Sequence, residues 1–553
     1  MTLCSKTAFI AAALLGCISC VKIDDSVGGN MVPVSHTYRV VSPDAFPMNV
    51  KMLIADSLSG FSSTRITVGA VRKDSELGLT TRSSCVSLVP MHREMDWGTN
   101  PELRQFHFTA SPDTVSVADK SQGSILQSVL VYELNQRVNT DKSFSCTDDV
   151  PHGTTRVTAG IPVINGTDSL AFDFSPAFAA KYMGITSDDL KNFDTYLEKY
   201  PGIYITTDAP VGDGGRINIF SLQTGYTDGY LTGSFAELKF RSTWTENGVS
   251  VRKDSSFFFW FSPTRKPNSA SGWYDIDSLL NASGTGSFPQ YCLNLTGHDQ
   301  ALSVARAGDA ADYIYVEGGG GLKPVISGKF LRDTVRAIIA AGGDDPSKAI
   351  INRATLILPF EPSDPDFELM YKVPDILSPT CRLRNDTTVT FLGLTDSSDQ
   401  YEDQGNINRS RLIYSPDITY HVQELLKMED GNARLLDGSY DIWLLIMHNE
   451  TTTTTTGGNQ DMSEYYNYLA YQSYMNSMYS GYGGYGGYGY GDYYTNYYNY
   501  AMMAQYYSSS STSVSTSSQL DRDRYYYARL CGPSYPDASR RPKFKFSYSV
   551  PNK

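Results

Sequence analysis

Between Ala236 and Pro263 the chain reads AELKFRSTWTENGVSVRKDSSFFFWFSP, two alternating runs meeting at Asn247-Gly248. Asn-Gly is the strongest short-range hairpin signal, because both turn positions need positive φ and these two residues accept it at little steric cost. A segment of this kind fits neither a helical bundle nor a parallel α/β sheet, so it biases the whole reading toward antiparallel sheets.

The rest of the chain agrees. Runs rich in β-branched and aromatic residues, bounded by Gly, Pro, Asn and Asp, recur at Ser124–Leu134, Gly202–Asp208, Arg216–Leu222, Asp312–Gly318, Ala354–Glu361 and Tyr440–Asn449. Helical periodicity occurs only in islands, at Ser175–Tyr200, Asp333–Ala341 and Asp417–Met428. A length of 553 residues with 41% hydrophobic and 19% charged residues suits two or three domains with ample cores. The halves follow a similar order of elements, and Gly342–Ser347 (GGDDPS) has a linker's composition. The expected fold is therefore all-β: two β-sandwich, jelly-roll-like domains in series, 20–341 and 348–553, with short inserted helices. A net charge of −13 argues against a nucleic-acid partner.

The first twenty residues, MTLCSKTAFIAAALLGCISC, combine Lys6, a short apolar run and small residues before a cysteine. That is an export signal, too short to cross a bilayer as a helix. Its end resembles the lipobox of bacterial lipoproteins, which implies cleavage after residue 19 and acylation of Cys20. LLGC makes Cys17 the alternative, but a mature start of CVKIDD resembles the surface-export signal of Bacteroidota lipoproteins and favours Cys20. Several acyl chains, at about 0.8 kcal/mol per buried methylene, would make the attachment effectively permanent. The expected location is thus the outer membrane, lipid-anchored and exposed at the cell surface. Five further cysteines, Cys85, Cys146, Cys292, Cys381 and Cys531, are an odd number spread too widely for a disulfide framework, leaving room for one or two bridges in an oxidising compartment, and they fit no zinc pattern.

VKIDDSVGGNMVP (Val21–Pro33), YIYVEGGGGLKPVISG (Tyr313–Gly328) and RRPKFKFSYS (Arg540–Ser549) together resemble the Bacteroidota lipoprotein family known as domain of unknown function 4270. The likeness spans nearly the whole mature chain except Ala70–Ser111. The family carries no settled catalytic assignment, so none is implied here.

Residues with the look of catalytic chemistry resolve into ordinary roles. Gly318–Lys323 (GGGGLK) invites a phosphate loop, but Lys323 precedes Pro324 and a strand rather than Ser/Thr and a helix. A tight corner between strands is the expected role. The seven histidines include no HExxH pair, and His421 on an amphipathic segment reads as a core or surface residue. The acid-rich loop Asp396–Gly405 lacks the order of a calcium loop. No nucleophile elbow is present. The expectation is a non-enzyme without metal or cofactor. Asp-Ser/Thr sites at Ser57, Thr114, Ser169, Ser278, Thr334 and Thr387 resemble the O-glycosylation motif of exported Bacteroidota proteins.

From Thr451 to Leu520 there is no lysine or arginine, and the acids are Asp461, Glu464 and Asp492. Tyr, Gly, Ser and Thr dominate, with tyrosines such as Tyr482, Tyr485 and Tyr488 spaced by glycine. This composition cannot offset its ordering entropy, so 451–519 reads as a disordered loop enlarging a hairpin, at a closure cost on the order of 2 to 3 kcal/mol. The tyrosines are also ready interface anchors. The function expected is non-catalytic binding or scaffolding in the envelope, as an accessory subunit beside an outer-membrane protein. The alternative is glycan binding through exposed Trp260, Trp273 and Tyr274.

Overall fold

The computed structural model describes residues 37–55, 58–62, 64–73, 77–92, 94–117, 120–138, 145–227, 230–261, 286–288, 290–361, 373–384, 389–398, 404–456, 511–520 and 527–552. Strands dominate and are paired antiparallel throughout, so the molecule is all-β with sandwich-like units.

Two large cores organise it. One unit lies between Phe61 and Gly297 and stacks a ten-stranded sheet on a five-stranded one. Alternate residues of Thr99–Ala110, Phe235–Glu246 and Val249–Phe261 point inward: Phe106 and Phe108, then Ala236, Leu238 and Phe240, then Phe257, Phe259 and Phe261. This period of two makes one face apolar, and the face buries against Ile66, Val68, Val129, Val131, Ile203 and Ile205 of the larger sheet. The helices Pro176–Met183 and Phe193–Lys199 close one side of this core with Phe178, Tyr182 and Tyr196. Ser175 and Asn192 cap them, each accepting backbone N–H groups of the first turn.

The second unit is built from both ends of the chain. Its six-stranded sheet places Tyr38–Val41 beside the final strand Lys543–Pro551, with Tyr38 opposite Pro551, and next to that Ile350–Pro359. Its seven-stranded sheet runs Gly308–Asp309, Lys51–Ala55, Gly321–Ile326, Ile442–Thr456, Ile376–Arg384, Val389–Gly393. The helices Gly328–Ala341 and Thr419–Lys427 pack into the same core through Leu331, Val335, Ile339, Val422 and Leu425.

The boundary expected at 341/348 is corrected by this pairing. Strands at 38–55 belong with strands beyond 308, so the first unit is inserted within the second rather than preceding it. Gly342–Ser347 is a short turn inside the second unit, where Asp344 accepts from Tyr548 Oη at 3.1 Å.

The Asn-Gly hairpin forms as read. Glu246 pairs with Val249, and Asn247 and Gly248 have φ of 50° and 77°. The loop assigned to 451–519 is shorter than expected at both ends, because Ile442–Thr456 and Ser511–Leu520 form one continuous antiparallel ladder from Met447↔Leu520 to Thr456↔Ser511. Its connecting residues, and with them Tyr482, Tyr485 and Tyr488, lie outside the described residues, as do Cys17, Cys20, Trp273, Tyr274, Ser57, Ser278 and Thr387.

Candidate functional site

The glycine-rich turn Gly318–Gly320 joins the strands Tyr313–Glu317 and Gly321–Ile326, and the titratable residues around it are almost completely sealed. Arg82, Glu317 and Lys323 are each 1% exposed. The His298 side chain is 2% exposed. Arg82 comes from the strand Gly78–Val86 and His298 follows the strand Cys292–Gly297, both in the inserted unit, whereas Glu317 and Lys323 belong to the enclosing one. The cluster therefore lies where the two units meet.

Its geometry is that of a cation cradle. Lys323 Nζ donates to the carbonyl oxygens of Glu317 and, at 2.9 Å, Gly320. Arg82 Nη2 donates across the junction to the carbonyl oxygen of Gly318 at 3.0 Å. A phosphate loop turns N–H groups inward, but this turn offers carbonyls to an ammonium and a guanidinium, so its polarity is opposite. The Glu317 carboxylate folds back to accept from the Leu322 N–H at 2.6 Å, and Ser303 Oγ lies 3.4 Å from its other oxygen. Gly321 (φ 81°) is obligatory, because a Cβ there would stand 1.7 Å from Glu317 Oε2.

Burial sets the electrostatics. It pushes Lys323 down to about 8 against the pull of Glu317, and raises Glu317 despite the Leu322 N–H and the nearby cations. His298 is held well below its ordinary value, first by burial and then by the charges of Arg82 and Lys323. Its Nδ1 is 3.3 Å from Glu317 Oε2 without the alignment of a hydrogen bond. Glu317 faces both Ser303 and His298, but the group is closed to solvent and its strong contacts are spent on the turn. Such an arrangement fixes two units together and holds no open face toward a substrate. Sequence reasoning found the glycines and Lys323 but missed Arg82 and His298, since nothing in the local pattern of either marks burial.

The other expected sites fare as follows. Trp260 is corrected as a ligand contact: it is 1% exposed, opposite Val89 of the strand Leu88–Pro90, which covers this end of the hairpin. His421 is a core residue whose Nε2 meets the Tyr440 carbonyl at 3.1 Å. Asp396 caps the helix Thr419–Lys427, accepting from the N–H groups of Tyr420 and His421 at 2.6 and 3.0 Å, which accounts for the described part of that acidic loop. Among the described residues no His, Cys, Asp and Glu grouping suits a metal ion. Of the glycosylation sites, Ser169 is exposed, whereas Thr114 and Thr334 are half-buried within a strand and a helix. The acid beside Thr114, Asp113, is engaged by Arg65 Nε at 2.6 Å. The described cysteines are unpaired by disulfides, and all but Cys381 are buried.

Comparison of the chain with protein-family models, with curated proteins and with solved structures returns no match.

Proposed function

We propose that the chain is an outer-membrane lipoprotein, exposed at the cell surface, with a non-catalytic binding or scaffolding role, of the kind resembled by domain of unknown function 4270. The observation that carries this reading is the head of the sequence, LLGCISC followed by VKIDD, with acylation at Cys20. The 17 residues Val21–Thr37 would span at most roughly 60 Å when extended, which lets the body stand clear of the headgroups. The strand they lead into, Tyr38–Val41, is the edge of the six-stranded sheet, so the tether would pull on the enclosing unit. No helix of the described residues is long and apolar enough to cross a membrane.

The test is metabolic labelling with palmitate in the native host, followed by protease treatment of intact cells. Wild type should take up label and be shaved from the surface, and Cys20→Ala should take up none. Label retained in Cys20→Ala and lost in Cys17→Ala moves the site to Cys17, and absence of label in wild type removes the reading.

A further inference from the structure

The strand that receives the tether, Tyr38–Val41, contributes to an exposed face of the six-stranded sheet. In the final strand Phe544, Phe546, Tyr548 and Val550 are buried in the core, so Lys543, Lys545, Ser547 and Ser549 stand on the other side. The registers carry that side across three strands. Val40, Ser549 and Ile350 form one row, Ser547 and Arg353 the next, then Lys545 with Thr355 and Lys543 with Ile357. Tyr38, two residues before Val40, shares its side. From Ser549 to Lys543 the face runs about 20 Å.

Two kinds of side chain divide this face. At the end where the tether enters, Tyr38 is 54% exposed, Val40 68% and Ile350 49%. Farther along come the cations, Arg353 and Lys545, both exposed, and Lys543, half-buried. The chain as a whole has 59 acids against 46 Lys and Arg, yet the three strands YRVV, IINRATLILP and KFKFSYSVP contain no acid. Acids border the face instead. Buried Asp417 has Oδ2 3.5 Å from Arg353 Nε, Asp537 accepts from the N–H and Oγ of Ser539 at 2.9 and 2.7 Å, and Asp44 follows the first strand. Arg39 turns to the core side, where it pairs with Asp344.

We infer that this face rests on the anionic lipid headgroups of the membrane that holds the anchor. Charge selects the orientation. A body of net −13 is repelled by an anionic surface through its acidic faces, whereas a face with three cations and no acid in its strands is drawn to headgroup phosphates. The apolar end suits the same partner, since tyrosine settles at the level of the headgroups and the aliphatic side chains gain by leaving water. Position completes the argument. The tether Val21–Thr37 ends on this face, which keeps the face at high local concentration beside the bilayer, so contacts that are individually weak suffice. The tether is long enough for the body to stand clear of the membrane, and the face is what brings it down. The inference rests on the lipoprotein reading for the anchor and deepens it by naming the surface that meets lipid.

The experiment places the full-length acylated protein on two kinds of vesicle, neutral phosphatidylcholine and the same lipid with roughly one-third phosphatidylglycerol. A water-soluble acetylating reagent labels the lysines, and mass spectrometry reads the rate at each. On anionic vesicles at low salt, Lys543 and Lys545 should label at least about fivefold more slowly than on neutral ones, while exposed Lys191 of the inserted unit keeps its rate. The protection should vanish in about 1 M salt, where the Debye length is about 3 Å, and should weaken in the double variant Tyr38→Ser, Val40→Ser, which leaves both lysines in place. Equal rates on the two vesicles, protection on both alike, as a covering by the tether would give, or equal slowing at Lys191 each overturns the inference. So does protection by a soluble polyanionic glycan on neutral vesicles where anionic vesicles give none. Failure of the anchor reads differently: unacylated protein would not float with neutral vesicles, its flotation with anionic vesicles alone would support the face, and flotation with neither would overturn it.

Discussion

Two long hairpins leave their sheets in this molecule, and they treat their exposed ends in opposite ways. Phe235–Glu246 and Val249–Phe261 close at a two-residue turn, and a third strand, Thr99–Ala110, backs them as far as Thr243↔Thr99. Their outer rungs are charged: Arg241 grips Asp254 across the pair, Lys253 reaches Glu246, and Arg252 reaches Glu102 of the third strand. Those groups satisfy one another and discourage any further strand. The second hairpin, Ile442–Thr456 with Ser511–Leu520, has uncharged rungs beyond Glu450, no third strand past Met447 among the described residues, and a connection of 54 residues, 457–510, in place of a turn. The first hairpin is designed to end. The second carries no such charges past Glu450, and the contrast argues that folding stability is invested in the first.

The largest expected effect tests where the stability lies. Phe259 is fully buried in the first hairpin, with its ring centroid 5.3 Å from that of Phe106 and 5.6 Å from that of Tyr182. Phe259→Ala should lower unfolding free energy by about 3–5 kcal/mol, read from denaturant titration. The counterpart on the other side is replacement of Thr451–Thr516 by Asn-Gly, which sets Glu450 opposite Ser517 in the same relation that Glu246 has to Val249. Removing so long a connection should leave the body as stable as before or raise its stability by up to about 2–3 kcal/mol through closure entropy. A body that loses stability on this replacement would mean that the outer rungs are part of the fold, and the comparison would fail.

How much of this was legible in sequence follows the same divide. The first hairpin is written locally, in Asn247-Gly248 and in alternation that needs no distant information. Most of the short helices are legible for the same reason, but Gln300–Arg306 and Ala433–Leu436 are not, since one or two turns show no clear period. The nesting of the units was not, because it depends on Tyr38 meeting Pro551 and Lys51–Ala55 meeting Gly321–Ile326, contacts that no window spans. The junction cluster was half legible: four glycines announce a tight corner, but Arg82 and Lys323 look like any surface cation until the fold buries them. Trp260 misled for the converse reason, since an aromatic near a strand end reads equally as platform or core and only Leu88–Pro90 decides between them. The outer part of the second hairpin was visible as composition alone, because Thr and Ser repeat without the alternation that would mark a face.

Of intermediate size is the turn itself. Gly248 at φ 77° has nothing within 4 Å of the position a Cβ would take, so the penalty for Gly248→Val is conformational rather than steric crowding by neighbours. It should cost about 1–2 kcal/mol, measured as a lowered midpoint with an unchanged slope. A neutral result would mean that the turn is not what stops this hairpin.

The smallest expected effect sharpens the comparison most. Asp254 is bidentate to Arg241, with Nε to Oδ1 at 2.7 Å and Nη2 to Oδ2 at 2.6 Å, and Arg104 Nε is 4.0 Å away. The hydrogen bond from Arg241, followed by the charges of Arg241 and Arg104, holds its carboxyl below the ordinary carboxylate value. A depressed folded value means that the unfolded chain takes up the proton first as pH falls. Any stability from the pair is therefore complete above the ordinary Asp value of about 3.9 and is lost as pH drops through the folded value. The pair lies open to solvent, its side chains 41% and 60% exposed, so salt should screen it over the Debye length of about 10 Å at 0.1 M. Asp254→Asn should thus destabilise less than Gly248→Val, with a difference from wild type that vanishes in acid and shrinks in salt, while its cost to solubility appears as new self-association through the first hairpin. If the variant instead unfolds as readily as Gly248→Val and gains no tendency to associate, the charged rungs are there to hold the strands together rather than to end the sheet, and the difference between the two hairpins would be one of strength alone.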